Sequence, residues 1–162
     1  MLYFDKKFRF LISFILFCGL VSCVEKKTFI RLERPSEEKG RLYVIRPMNT
    51  ALAMWSYDFH LEKFKGHFKN NLERETITFF ELENGHFFTD ELEEGFYRLS
   101  LPSKPGVEKI FKMDPGKRNF FRFLIFNEKK ISIPDFFIQE ISEAEALSDL
   151  LENDHLYETN PK

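Results

Sequence analysis

From Arg41 onward the apolar residues come in short runs, broken by turn residues every eight to twelve positions, and that spacing restricts the chain to an all-β fold. Residues 41–46 read as a first strand stopped by Pro47, since proline has no N–H to give to a ladder. Residues 57–61 alternate, with Tyr57, Phe59 and Leu61 on one face and Asp58 and His60 on the other. Asn84-Gly85, between residues 77–82 and Phe87-Phe88, can supply the two positive φ angles of a type I′ turn, so a hairpin is predicted there. Glu94-Gly95 sets off a strand whose Tyr97, Leu99 and Leu101 share a face. Asp114-Pro115-Gly116-Lys117 puts Pro and Gly at the centre of a type II turn, predicting a second hairpin between residues 107–113 and 118–126. The expected fold class is mainly β, a small antiparallel β-sandwich. The 21 Phe agree, because aromatic rings suit a pleated, half-buried surface.

Residues 118–126 are apolar on both faces, with Phe121, Phe123 and Ile125 on one and Phe120, Leu124 and Phe126 flanking Arg122 on the other. Such a strand is covered on both sides, by the C-terminal segment or by a partner. The segment to cover it changes period. Ser142 and Glu145 form a capping box, and Ala144, Leu147, Leu150 and Leu151 follow at helical spacing, so a short C-terminal helix is expected, with residues 157–162 frayed beyond it. The domain is thus placed at residues 40–156.

The N-terminus carries an address rather than a fold. Asp5, Lys6, Lys7 and Arg9 precede an apolar run at 10–21, about the length of a signal h-region and short of the ~20 residues a spanning helix needs. Leu20-Val21-Ser22-Cys23 then resembles the lipobox of bacterial lipoproteins. That resemblance implies cleavage between Ser22 and Cys23, a diacylglycerol on the Cys23 thiol and an N-acyl lipid on the new amine, with residues 1–22 a removed signal peptide. Cys18 leaves with it, and the single cysteine that stays cannot form an internal disulfide. Two or three acyl chains, at ~0.8 kcal/mol per buried CH₂, hold a protein stably to a membrane. Residues 23–39, polar and interrupted by Pro35, read as the lipidated cysteine and its tether. Val24 is not the Asp that retains lipoproteins at the inner membrane of some enteric bacteria, so the outer membrane is the expected location.

The segments from Gly40 to Pro47, Tyr57-Asp-Phe-His-Leu61, Leu82 to Phe88, Glu94-Gly-Phe-Tyr97 and Asp114 to Phe121 follow, in order, the motifs of an uncharacterised bacterial lipoprotein domain related to PEGA-like modules, which the chain resembles over about residues 40–140. Glu94-Gly95 stands where that family has Pro-Gly, and residues 69–76 look like an insertion. The resemblance implies a small β-sandwich on a lipid anchor, with no established activity.

Chemistry-bearing patterns are few. His60, His67, His86 and His155 do not fall at zinc-site spacings, so neither a metal nor another cofactor is expected beyond the lipid. Asp90, Glu91, Glu93 and Glu94 cluster at a strand end, which suits solubility better than a carboxylate pair across a cleft. Phosphate loops and nucleophile elbows are lacking, and the expectation is a non-enzymatic protein. Residues 1–22 carry +2 of a net charge of −2, leaving −4 on the exported part, which gives no basic footprint for nucleic acid. Tyr43, Arg46, Trp55 and Tyr57 flank the irregular, partly apolar stretch 47–56. That stretch either folds back as a cap over the open end of the sandwich or forms the rim of a small binding cleft. The expected function is a membrane-tethered binding or structural module whose candidate partner is an envelope protein. The alternative is a carrier of a small hydrophobic ligand between Phe121, Phe123, Ile125 and the facing strands.

Overall fold

The computed structural model describes residues 28–50, 52–69, 72–126, 134–152 and 156–162. Among these residues nine strands and a helix follow in the order β1 (Lys39–Arg46), β2 (Tyr57–Phe64), β3 (Arg74–Leu82), β4 (His86–Glu93), β5 (Gly95–Ser100), β6 (Glu108–Met113), β7 (Arg118–Phe126), β8 (Asp135–Ile141), α1 (Glu143–Glu152) and β9 (Tyr157–Glu158). They form two sheets, β8-β7-β1-β4-β9 and β3-β2-β5-β6. The architecture is the expected mainly-β sandwich with one short C-terminal helix. Its pairing is less purely antiparallel than expected, since β1 runs parallel to β7 and β4 parallel to β9.

The inward-facing residues of both sheets make one core: Leu42 and Val44 from β1, Phe59 and Leu61 from β2, Phe80 and Leu82 from β3, and Phe121, Phe123 and Ile125 from β7. Aromatic rings carry much of it. Phe59 stacks on Phe80 at 5.3 Å, Phe80 on Phe88 at 3.8 Å, and Phe123 meets Phe59 edge-on at 5.1 Å. Such ring pairs add ~0.5–1.5 kcal/mol each to the burial of their area.

Both predicted hairpins are instead crossings between sheets. Phe80 and Phe88, on either side of Asn84-Gly85, face each other across the interior, with β3 in one sheet and β4 in the other. A type I′ turn needs two positive φ angles, but here only Gly85 has one (73°), and Leu52 is the sole non-glycine with positive φ among the described residues. The turn closes through the His86 amide on the Glu83 carbonyl at 3.2 Å. The Asp114 to Lys117 turn has the expected form, with Gly116 at φ 70° and the Lys117 amide on the Asp114 carbonyl. It too leads from one sheet to the other. Gly116 N donates to Lys39 O at 3.0 Å and Arg41 N to Lys117 O at 2.9 Å, so the turn delivers β7 alongside β1 in parallel.

The outer face of the first sheet is covered as β7 demanded. Tyr43, Ile45, Phe87 and Phe120 pack there with Ile141, Ala146, Leu150 and Leu156. Ser142 caps α1 as expected, its amide donating to Glu145 Oε2 at 2.8 Å while the Glu145 amide donates to Ser142 Oγ at 3.2 Å. The buried stripe differs from the expected one: Ala146 and Leu150 face the sheet, whereas Ala144 and Leu151 are exposed. Asp149 explains the rotation, since it takes Arg122 in a two-pronged pair at 2.5 and 2.9 Å and fixes which side of the helix meets β7.

Two terminal segments depart from expectation. Residues 157–162 are not frayed: β9 pairs with β4, Pro161 bridges Phe80, and Lys162 Nζ lies 2.6 Å from Asp58 and 2.9 Å from Glu81. The far half of the expected tether also lies on the domain. Thr28 bridges Tyr157, the Phe29 amide donates to Leu156 O at 3.1 Å, and Phe29 and Leu32 pack on the outer cluster. Apolar contacts every few residues, invisible as a strand or helix period, hold it there.

Candidate functional site

The four candidate cleft residues separate into two places. Side chains alternate along β1, so Tyr43 and Arg46 leave opposite faces. Tyr43 points outward, stacks on Phe120 at 5.3 Å and accepts the Glu33 amide on its hydroxyl at 2.9 Å, with burial raising its pKa. It belongs to the docked N-terminal segment and not to a shared cleft.

Arg46, Trp55 and Tyr57 do come together. Arg46 is 2% exposed at the inward-facing end of β1. Its Nη1 donates to Trp55 O at 2.6 Å and Leu82 O at 2.9 Å, and its Nη2 to Leu52 O at 3.0 Å. The guanidinium carbon lies 5.0 Å from the centre of the Tyr57 ring. Desolvation lowers the Arg46 pKa, against the favourable fields of Tyr57 and Glu83. A guanidinium engaged this way on backbone carbonyls organises the 47–56 loop; it does not stand open for a ligand. Of the loop's apolar residues Leu52 packs against the core, whereas Met48, Met54 and Trp55 turn outward, with 51, 97 and 64% exposed.

Depressions among the described residues include the following pair. One, of 340 Å³, runs between the docked segment and the first sheet and is lined by Phe29, Arg31, Glu33, Tyr43, Phe87 and Glu158, among others. Arg41 closes one end of the docked segment through Glu33 at 2.6 Å and Glu91 at 3.0 Å. The other, of 300 Å³, lies on the open face of the second sheet beside His60, Glu62, Arg98 and the 101–108 turn. Its charges are mutually engaged: Glu62 meets Arg74 and Arg98 at 3.3 Å each, and Arg98 meets Glu108 at 2.5 Å.

The histidines stay apart. His60 meets Phe79 edge-on at 4.0 Å, His67 lies between Phe68 and Phe96, and His86 Nδ1 is 3.1 Å from Thr159 Oγ1. Among the described residues no three His, Cys, Asp or Glu side chains gather as a metal site would require; His155 lies outside them. The acidic cluster is dispersed by its strand. Glu91 pairs with Arg41, Glu93 with Lys63 at 2.8 Å and Glu94 with Lys112 at 3.7 Å, whereas Asp90 shares the inward side of Phe88 and Leu92. Ser22 and Cys23, the expected cleavage and lipidation residues, lie outside the described residues. No helix among the described residues is long and apolar enough to cross a membrane.

Fold and surface together define a β-sandwich closed at one end by an arginine-pinned loop. Comparison with protein-family models, with curated proteins and with solved structures gives no match, so the site is read from its own geometry.

Proposed function

We propose that this chain is a bacterial lipoprotein, anchored through diacylglycerol and an N-acyl chain on Cys23, whose β-sandwich is a non-enzymatic binding or structural module of the cell envelope. The observation that carries the reading is Leu20-Val21-Ser22-Cys23 at the end of a basic, then apolar, leader. The fold is compatible with it, because Thr28, five residues beyond Cys23, bridges Tyr157 on the domain. Val24 after the lipidated cysteine favours the outer membrane, and an envelope protein is the partner class in keeping with an acidic, membrane-held domain. The carrier reading required space beside Phe121, Phe123 and Ile125. Ring pairs packed beside these residues, Phe111 with Phe121 at 4.9 Å and Tyr57 with Phe123 at 5.2 Å, favour the first reading.

The test is incorporation of radiolabelled palmitate, with membrane fractionation, for the native protein beside Cys23→Ala. Label on the native protein alone, in the outer-membrane fraction, is the expected result. Equal absence of label from both would overturn the reading.

A further inference from the structure

We propose that the 47–56 loop is a second membrane contact, laying Met48, Met54 and Trp55 into the lipid headgroup region while Cys23 holds the chain by its acyl groups. The inference rests on the lipoprotein reading and adds to it an orientation and a surface.

Its first support is where the anchored end of the chain enters the fold. Thr28 bridges Tyr157; the Tyr157 amide donates to Gly85 O at 3.1 Å; the Gly85 amide donates to Arg46 O at 3.2 Å; and Arg46 holds the carbonyls of Leu52 and Trp55. The Asn49 amide, on Asn84 Oδ1 at 2.9 Å, ties the loop to the same turn. This unbroken series of contacts places Thr28 and the loop at one end of the sandwich. Between Cys23 and Thr28 the backbone can span at most ~18 Å, at ~3.3–3.6 Å per residue. A docked Thr28 thus keeps this end close to the lipid surface and points the opposite end, with the Asp114 to Lys117 turn, away from it.

The second support is the chemistry of what that end exposes. A buried arginine fixes the loop backbone from within, yet the loop's largest apolar side chains face out, Met54 almost wholly. Phe126, the last residue of β7, leaves the first sheet at the same end and is 55% exposed. A loop that merely capped the core would turn such side chains inward. Tryptophan has an apolar ring and a polar N–H that suit the headgroup level, and flexible thioethers fit the irregular boundary below it. At this end Lys162 takes Asp58 and Glu81, while Asp135 beside Phe126 and Glu83 in the turn stay exposed; Lys26 and Lys27, against Glu25, lie in the sequence between anchor and domain, where anionic lipids attract them.

Trp55 is the only tryptophan of the chain and reports on its own surroundings. The native lipoprotein, its N-terminal lipid verified by mass spectrometry, is reconstituted into phosphatidylethanolamine and phosphatidylglycerol vesicles with or without brominated acyl chains. The expected result is a blue-shifted Trp55 emission that the brominated lipid quenches, with Met48→Ser/Met54→Ser losing much of the quenching and keeping its lipid. Lipidated protein with an unshifted, unquenched Trp55 would overturn the inference and leave the anchor standing. A blue shift without quenching would also overturn it, assigning the loop to a protein partner or a second copy. Quenching undiminished in the double variant would overturn the part given to Met48 and Met54. Absence of lipid on Cys23 would remove the anchor reading and this inference with it.

Discussion

Arg46 and Leu82 belong to different sheets, and the guanidinium of the first donates to the carbonyl of the second at 2.9 Å in the buried interior. The same head group reaches Trp55 O and Leu52 O, so one side chain joins β1, the end of β3 and the 47–56 loop. Arg46→Met removes the donors and strands these carbonyls, at a cost of about 2–4 kcal/mol in urea unfolding. Arg46→Lys recovers little of the loss, because an ammonium lacks the planar fork that serves several acceptors at once. Limited proteolysis should cut within 47–56 sooner in both variants.

Asp90 provides a pH prediction. It lies half-buried on the inward side of an edge-proximal stretch of β4, opposite Leu42, and burial raises its carboxyl above 3.8 despite the Glu91 amide and the fields of Arg41 and Lys39. A carboxyl raised by the fold contributes stability that is full below its unfolded value and is lost as pH rises through the folded one. Asp90→Asn should therefore unfold at a higher urea concentration than the native chain at pH 7, the gap narrowing as pH falls toward 3.8. Because an inward charge also guards a sheet edge, the variant should aggregate more readily when concentrated, as light scattering would show.

Gly40 is required by crowding rather than by φ. A methyl group built on it would run into Met113 Sδ and lie 2.6 Å from Asp114 O. Gly40→Ala should cost about 1–3 kcal/mol in chemical denaturation. Adding Met113→Ala should not restore stability, since the carbonyl belongs to the turn that seats β7 beside β1.

Leu156 is 2% exposed and packs with the outer cluster to which Phe29 and Leu32 attach. Leu156→Ala should cost about 2–4 kcal/mol. Hydrogen exchange should localise its first effect at residues 28–33, whose Phe29 amide donates to Leu156 O, before the ladder between β1 and β7 opens.

Strands, the capping box and the two-sided character of β7 were legible in the sequence because each is a local pattern of period or pairing. Which strand each strand meets was not. Asn84-Gly85 and Pro115-Gly116 each mark a reversal, but a reversal leads as readily across a sandwich as along a sheet. Here the stacking of Phe80 on Phe88 and the hold of the second turn on β1 decide it. The helix stripe departs from the periodicity because Asp149 counts as polar there, although its pair with Arg122 makes it part of the packed face. Arg46 was singled out beside Trp55 and Tyr57, and the structure brings those three together; Tyr43 falls away by the alternation of β1 itself. Residues 28–33 and 157–162 each lack a period, and what holds them is distant in sequence, Tyr157, Phe87 and Tyr43 for the first and β4, Phe80 and Asp58 for the second, which no single segment displays.

Among the described strands β1 is the first to leave the ribosome, and it is the central strand of its sheet, flanked by β4 and β7. Val44 must wait for Phe88 on one side and, in parallel register, for Phe121 on the other. Loop closure over such separations is slow, and the ladder between β1 and β7 cannot form until most of the chain has been made. Until then Leu42 to Ile45 is an unpaired apolar strand with two open edges. A chain built this way gains from being kept extended and chaperoned until β7 is available, and its refolding from urea should be slow and prone to association at high protein concentration.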